Sequence, residues 1–131
     1  MKQRRNPDEI HPPFAAYSHQ TEIGGPARVL VMSGQVGAAR DGTVPEDPAQ
    51  QYALALDNVI ANLHAAGMDV PDLDRLTTYL VEQIDREVRG RILREHLGDE
   101  RPCTTLLYVA GLASPALKVE IDAWASSSTG S

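Results

Sequence analysis

Hydrophobic and polar residues alternate in the segment ALKVEIDAWA, which spans residues 116–125. Four apolar residues share one side of the pattern: Leu117, Val119, Ile121 and Ala123. A period of two residues is typical of a β-strand that buries one face and exposes the other. The segment therefore predicts a half-buried strand, and its polar side carries two carboxylates, Glu120 and Asp122.

The spacing of apolar residues changes to that of a helix after residue 47. The apolar positions recur at Tyr52, Leu56, Val59, Ile60 and Leu63. Asp47 is a suitable N-cap, Pro48 suits the first helical position, and Gln50 completes the spacing of a capping box. Gly67 supplies a stop. These signals predict a helix from Pro48 to the residue before Gly67.

A second helix and four further strands complete the pattern. The helix is predicted over residues 86–97, with Asp85 as its N-cap and Gly98 as its stop. The predicted strands cover residues 17–23, 28–36, 73–82, 104–112 and 116–125. In the second of them, the run Val29–Met32 suggests burial on both faces. The element order is therefore β-β-α-β-α-β-β.

This order predicts an α+β fold in which two helices pack on one face of a mixed β-sheet. Each helix connects two strands, and the strands at the two ends of the chain are expected to form hairpins. A chain of 131 residues leaves the opposite sheet face bare. Bare apolar faces are usually covered by another subunit, so an oligomer is expected.

Composition divides the chain into one domain and two tails. The first residues, MKQRRNPDEIHPP, combine charged side chains with three prolines, and the last six are SSSTGS. Such compositions are typical of segments without a packed core. We expect a mobile tail over residues 1–12, a single domain over residues 13–125 and a disordered tail over residues 126–131.

Charge and cysteine content narrow the function classes. The net charge of −6 disfavours nucleic-acid binding, which needs clustered cations. One cysteine, Cys103, excludes an intrachain disulfide and fits a reducing compartment. No apolar run approaches a membrane span, and no signal-peptide segment precedes the domain. A cytoplasmic protein that does not contact membranes is expected.

Local motifs give few signals of chemistry by themselves. The four histidines, His11, His19, His64 and His96, lack the spacing of metal ligands, so no metal is expected. The stretch SGQVG at residues 33–37 lacks the lysine of a phosphate loop, although its backbone amides could face a small ligand. Cys103 lacks an obvious activating base and is expected to be structural.

Three separated segments resemble the RidA/YjgF family of small reactive-intermediate deaminases. They are AAYSHQ at residues 15–20, VMSGQV at residues 31–36 and VAGLASPALKVEIDAWA at residues 109–125. The intervening stretches LDNVIANLHAAG and LTTYLVEQID are also similar to the middle of the family. The similarity covers about residues 12–125 in the family's order.

The resemblance implies a chorismate-mutase-like α+β fold and a homotrimer with ligand clefts between its subunits. It also implies hydrolysis of an imine or enamine of a small 2-amino acid to a keto acid and ammonia, without a cofactor or metal. Glu120 matches the family's glutamate that positions water. Tyr17 matches a tyrosine that lines the cleft, and the backbone of Ser33 and Gly34 matches another part of the cleft wall. Asp122 is expected to be polar surface or an intersubunit partner.

The chain departs from the family at the arginine that holds the substrate carboxylate. That position falls on Thr104, within RPCTTLLYVA, and Arg101 would reach the cleft only if the preceding loop folds back. A threonine hydroxyl cannot replace a charged, bidentate guanidinium. Specificity is therefore expected to differ, with Thr104 and Thr105 favouring a neutral or differently shaped ligand.

Two other functions remain open on the sequence. A trimer of this fold could bind a small metabolite without turnover, which the missing arginine favours. Some relatives are described as endoribonucleases or translation inhibitors, but the acidic charge and the lack of a catalytic histidine pair oppose that function here. The expected partners are a small molecule and further copies of the chain.

Overall fold

The computed structural model describes residues 1–128. Its strands and helices, in chain order, are β1 (Lys2–Arg5), β2 (Gln20–Ile23), β3 (Ala27–Val36), α1 (Pro48–Ala65), β4 (Leu73–Leu80), α2 (Arg86–Leu97), β5 (Cys103–Tyr108) and β6 (Val119–Ser128). A 3₁₀ turn, Val70–Asp72, precedes β4. From β2 to β6 the order is the predicted β-β-α-β-α-β-β.

Both helices begin and end where their caps predict. The side chains of Asp47 and Asp85 accept hydrogen bonds from the backbone N–H three residues later, at 3.3 and 3.2 Å. Gly67 and Gly98, just beyond the helices, have φ angles of 71° and 60°. Glycine adopts this left-handed backbone without a steric penalty, so it ends a helix readily.

The main sheet has the strand order β3-β6-β4-β5. Strand β6 is antiparallel to both of its neighbours, and β4 and β5 are parallel. The expected hairpins are wrong: β6 lies between β3 and β4 and does not pair with β5, while β2 pairs with β1 in a separate two-stranded sheet. Alternation within a strand indicates its buried face but does not specify its neighbours.

The core lies on the sheet face that carries the helices. On β6, Val119, Ile121, Ala123 and Ala125 are completely buried. They share a single hydrophobic cluster with residues of both helices, including Leu56, Leu63 and Ile92. Two helices on one face of a mixed sheet are therefore confirmed, and the alternation in ALKVEIDAWA identifies the buried side correctly.

The other sheet face is not covered by either helix in the described part of the chain. Val29 and Val31 on β3 are each 58% exposed, and Trp124 opposite Val31 is 49% exposed. The prediction that β3 is buried on both faces is therefore wrong for a single chain, because the helices bury only the other face, which holds Met32.

The N-terminal segment packs against the domain, in contrast to the tail expected over residues 1–12. Strand β1 pairs with β2, and the Lys2 ammonium lies 2.8 Å from a carboxylate oxygen of Asp74, which is buried. The same ammonium donates hydrogen bonds to the carbonyls of Asp72 and Ser126, each at 2.9 Å. These partners lie far away in sequence, so local composition could not reveal them.

At the other end of the chain, β6 extends to residue 128, beyond the expected boundary at residue 125. The rest of the expected C-terminal tail, residues 129–131, lies outside the described residues.

A buried glutamine ties α1 to the loop that leads into β6. The Gln51 side chain is completely buried, and its amide donates to the carbonyls of Pro45 and Ala116 at 2.8 and 3.0 Å. Its oxygen accepts from the backbone N–H of Lys118 at 2.8 Å. Gly37 allows this approach, because a Cβ there would lie only 2.5 Å from the Gln51 Cβ.

Candidate functional site

The carboxylate of Glu120 lies directly over the backbone of Gly34. A Cβ built on Gly34 would lie 2.8 Å from the Glu120 Cγ and 2.5 Å from its carboxyl carbon, so a side chain at residue 34 would collide with the acid. The φ angle of Gly34 is not in the positive region that favours glycine. Glycine at this position therefore leaves the space that the Glu120 carboxyl group occupies, and the backbone conformation does not require glycine.

An irregularity in β3 creates this arrangement. The pairing of β3 with β6 is regular up to Met32 and resumes at Gln35, so Ser33 and Gly34 form a bulge. The side-chain amide of Gln35 donates a hydrogen bond to the Ser33 carbonyl at 2.9 Å, which supports the bulge locally. A bulge bends the strand and redirects its residues. The bulge thus places the Gly34 backbone, with Ser33 next to it in the chain, against the Glu120 side chain.

A tyrosine–carboxylate pair stands beside Glu120 on the uncovered face. Tyr79 of β4 pairs with Glu120, and its hydroxyl donates a hydrogen bond to Asp122 at 2.9 Å. This hydrogen bond raises the pKa of Tyr79, and partial burial and the negative charges of Asp122 and Glu120 raise it further. Asp122 therefore has an intrachain partner, which the sequence did not predict.

Tyr17 and Thr104 lie in a groove on the opposite side of the sheet. Thr104 pairs in parallel with the core residue Leu76, so its side chain lies on the helix-covered face. Tyr17 lines the same groove, between β5 and α2. The next residue, Ser18, anchors this segment because its hydroxyl donates to the Arg101 carbonyl at 2.6 Å. Within one chain, the predicted site residues therefore form two groups on opposite faces.

The remaining candidates near β5 have local partners. The Thr105 hydroxyl accepts a hydrogen bond from Arg75 at 2.6 Å, so it belongs to a contact on the uncovered face. The Arg101 guanidinium donates to the carbonyls of Gly98 and Glu100, at the end of α2, rather than to the groove. The Cys103 sulfur lies 3.4 Å from the Thr21 hydroxyl of β2.

Tyr52 of α1 is a buried residue of the groove that sequence reasoning treated only as core. Its side chain is 3% exposed, yet it borders the groove beside Thr104. Burial raises the pKa of Tyr52 to about 12, against the opposing influence of the Arg89 charge. Its place in a helical stripe of apolar residues signalled burial but gave no sign of the groove.

We expect the stability of the protein to fall between pH 10 and 12 because of Tyr52. The unfolded chain loses the phenol proton near pH 10 and the folded chain near pH 12, so rising pH favours the unfolded state over this interval. Two pKa units correspond to about 2–3 kcal/mol of unfolding free energy. Urea unfolding at several pH values should show a steeper decline for wild type than for Tyr52→Phe. Parallel declines would contradict this assignment.

Two kinds of feature are not found within residues 1–128. No helix there has the length and apolar character needed to cross a bilayer. No group of three or more histidine, cysteine or acidic side chains is arranged to hold a metal ion. The histidines with carboxylate partners make pairwise contacts, such as His96 with Asp57 at 2.8 Å between the helices.

Known proteins are similar to this chain in sequence and in fold. Residues 9–127 match the family described as Endoribonuclease L-PSP. YyfB from Yersinia pestis, of the conserved Rid protein family, has a similar structure, with a TM-score of 0.81 and 30% identity over 95% of this chain and 97% of that protein. A 51-residue stretch is 45% identical to the RutC family protein YjgH of Escherichia coli and covers 39% of each protein.

TdcF of E. coli is similar over nearly its whole length. The two sequences are 26% identical over 127 residues, which cover 94% of this chain and 92% of TdcF. TdcF is named as a reactive intermediate deaminase, and its crystal structure with bound serine has a TM-score of 0.69, 27% identity and 96% coverage of each chain. The family match over residues 9–127 and the shared architecture establish that this chain belongs to the RidA/YjgF family and has its chorismate-mutase-like α+β fold.

Proposed function

We propose that this protein is a hydrolytic deaminase that converts a small imine or enamine into a carbonyl compound and ammonia. The observation that carries the proposal is the Glu120 carboxylate held over Gly34, in a bulge where the lack of a side chain leaves space for the acid. The name of the relative TdcF, a reactive intermediate deaminase, supports the same reaction class.

In this mechanism Glu120 acts as a general base toward water. The carboxylate accepts a proton from water as the water oxygen bonds to the imine carbon, and the imine nitrogen takes a proton from solvent. In the resulting carbinolamine, the protonated Glu120 returns its proton to the amino nitrogen. The C–N bond then breaks, ammonia leaves, and the carbonyl forms as the hydroxyl proton passes to solvent. An enamine first gains a proton on carbon and loses one from nitrogen to become the imine. General acid–base catalysis of this kind contributes about 10²–10⁴-fold in rate.

The active site in this proposal is shared between subunits of a homotrimer. Glu120 and Gly34 lie on the uncovered sheet face, whereas Tyr17 and Thr104 lie in the groove on the other side. One chain cannot present both groups to one small molecule, but two neighbouring chains can. The exposed side chains of Val29, Val31 and Trp124 supply an apolar surface for the association.

The substrate in this proposal is a small molecule that is recognised differently from the usual substrates of the family. Thr104 and Tyr17 offer hydroxyl groups to the ligand, and the Ser33 and Gly34 backbone forms the opposite wall. TdcF, crystallised with serine, supports a ligand of the size of a small amino acid derivative. The altered contact at Thr104 is expected to change which derivatives are accepted.

The proposal is tested by following imine breakdown directly. An amino acid oxidase with catalase generates imines of several small amino acids, and semicarbazide traps the imine that survives. The protein should lower the trapped fraction and speed keto-acid and ammonia release above the spontaneous rate. A ligand that raises the melting temperature and is recovered unchanged, with no faster hydrolysis of any imine, would indicate a binding protein instead.

Oligomeric state provides an independent check of the shared site. Sedimentation velocity should show that the wild-type protein is a trimer. Replacing the exposed Val31 by aspartate should shift the equilibrium from trimer to monomer and abolish hydrolysis. A fully active monomer would contradict a site shared between chains.

A further inference from the structure

The ammonium group of Lys2 lies in a socket at one end of the main sheet. Three parts of the chain form the socket: the 3₁₀ turn supplies the carbonyl of Asp72, β6 the carbonyl of Ser126, and β4 the carboxylate of Asp74. The carbonyls lie 2.9 Å and the carboxylate 2.8 Å from the ammonium nitrogen. The first strand of the chain is thus fastened to the main sheet by a side chain.

The contact between Lys2 and Asp74 differs from an ordinary surface ion pair. Asp74 is 7% exposed and the Lys2 side chain is 22% exposed. Within residues 1–128, Lys2 is the only ion-pair partner of Asp74. An exposed pair contributes little, whereas removing one member of a buried pair leaves the other charge uncompensated. The pair is therefore a strong attachment for β1.

The strand that carries Lys2 also closes a loop over residues 6–19. The pairing of β1 with β2 joins Arg5 to Gln20, the two residues that flank the loop. A second side chain of β1, Arg4, forms an ion pair with Glu100. A loop whose ends are held together behaves as a compact unit. The attachments of β1 to the domain are therefore attachments of the loop as well.

Tyr17, which lines the groove between β5 and α2, is oriented by contacts inside this loop. Its hydroxyl accepts a hydrogen bond from the backbone N–H of Phe14 at 3.2 Å, and its ring meets the edge of the His19 ring at 5.5 Å. Phe14 stacks on His11, with ring centroids 4.2 Å apart. The place of the Tyr17 side chain therefore depends on where the loop as a whole is held.

Two attachments hold the loop to the rest of the domain, one near each end. At the second end, the Ser18 hydroxyl donates to the carbonyl of Arg101 at 2.6 Å. In the described chain, the hydrogen bonds of residues 7–16 all remain inside the loop. The first end is therefore held through β1, and the socket of Lys2 is its deepest contact.

We propose that Lys2 is a positioning residue for the site that Tyr17 lines. Its contact with Asp74 holds β1 on the main sheet, β1 holds the loop, and the loop holds the Tyr17 side chain at the groove. The effect on turnover rests on the proposed function, in which Tyr17 contacts the substrate. The effect on the loop itself does not.

Hydrogen exchange of the full chain, followed by mass spectrometry, tests the hold on the loop. Lys2→Met keeps a long apolar stem and removes the ammonium. Peptides from residues 6–19 should exchange at least about tenfold faster, the lower range for the loss of hydrogen bonds to a charged group. Peptides from α1 should exchange as in wild type. The matched control is Arg5→Met, which removes a cation from the same strand but from an exposed pair with Glu22, and it should leave the loop unchanged.

Steady-state kinetics test the effect on catalysis. The substrate is the imine that wild type hydrolyses fastest, and its steady concentration is set by the amount of amino acid oxidase. Tyr17 contacts the substrate before and during the reaction, so Lys2→Met should raise KM about tenfold and leave kcat within about twofold of wild type. A mere loss of folded protein would lower kcat and leave KM unchanged.

A double variant separates position from stability. Asp74→Asn removes the buried charge that Lys2→Met leaves without a partner, so the melting temperature of the double variant should return toward that of wild type. The ammonium that holds β1 is still absent, so KM should stay high. A KM that recovers together with the melting temperature would overturn the proposal. Equal exchange of residues 6–19 in Lys2→Met and wild type would also overturn it.

The outcomes separate this inference from the proposed reaction. Faster exchange of the loop in Lys2→Met, with no imine hydrolysis by wild type, would keep the hold of Lys2 on Tyr17 and remove the deaminase. Imine hydrolysis with a KM that is insensitive to Lys2→Met would keep the deaminase and remove Lys2 from the positioning of its site.

Discussion

Replacing Glu120 by glutamine is expected to slow imine hydrolysis by at least about 100-fold, because the amide cannot accept the proton of the attacking water. Glutamine fills nearly the same space over Gly34, so the variant should keep the fold and the oligomeric state of wild type. The measurement is the initial rate of keto-acid formation from an imine generated in situ, corrected for the spontaneous reaction.

Asp122→Asn is the matched control for Glu120→Gln. Asp122 lies two residues along the same strand and on the same face, and an asparagine oxygen can still accept the hydrogen bond from Tyr79. Its rate should stay within about tenfold of wild type, below the usual contribution of a catalytic acid or base. If both variants were equally slow, the face as a whole would matter rather than the Glu120 carboxylate. If Glu120→Gln were as fast as wild type, Glu120 would not be the base.

Gly34→Ala tests the position of the same carboxylate without changing its chemistry. The added methyl group would occupy the space of the Glu120 carboxyl group, which lies at the free end of a flexible side chain and can swing away. Stability should therefore fall little, whereas activity should fall toward that of Glu120→Gln, since small misplacements of a catalytic group cost about 10²-fold. A fully active Gly34→Ala protein would show that the carboxylate need not lie over the bulge.

Gln51→Leu is expected to lower the free energy of unfolding by about 3–5 kcal/mol, the largest stability effect among these variants. Leucine fits the volume of the glutamine but leaves the carbonyls of Pro45 and Ala116 and the N–H of Lys118 without their partner. Each unsatisfied buried group costs about 1–3 kcal/mol. The free energy of unfolding is measured by urea denaturation that is monitored by circular dichroism.

The control for Gln51→Leu is the same substitution one residue earlier. Gln50 is exposed, and its contact with Asp47 is made through its backbone N–H. Gln50→Leu should change stability by no more than about 0.5 kcal/mol, as is usual for surface positions. Equal effects at the two positions would contradict the role given to the buried amide.

The local structure was largely readable from the sequence, because its signals are local. Caps and stops placed both helices, and the period of two residues in ALKVEIDAWA identified the core-facing side of β6. The position of β6 between β3 and β4 was missed, since an edge strand and a central strand can show the same alternation. The contacts of Lys2 with Asp74 and Ser126 were missed for a related reason: their partners are more than 70 residues away.

The candidate site, too, could be predicted from the sequence only in part. Glu120, Ser33 and Gly34 were indicated by family resemblance, and the structure brings them together through a bulge that no periodic pattern reveals. The position of the α2 arginines beside the groove was not predicted, because alternating charges look the same beside water and beside a groove. Gln51 carried one unused signal, since a polar residue at the start of an apolar helix stripe suggests a buried partner.

The central place of β6 affects how the chain folds during synthesis. Strands β3 and β4 are made well before β6, but each pairs with β6 rather than with the other. The ribosome must therefore have produced nearly all of the residues described here before the main sheet can close. Until then, β3 and β4 have open edges, and during this interval the nascent chain is most exposed to aggregation and most dependent on chaperones.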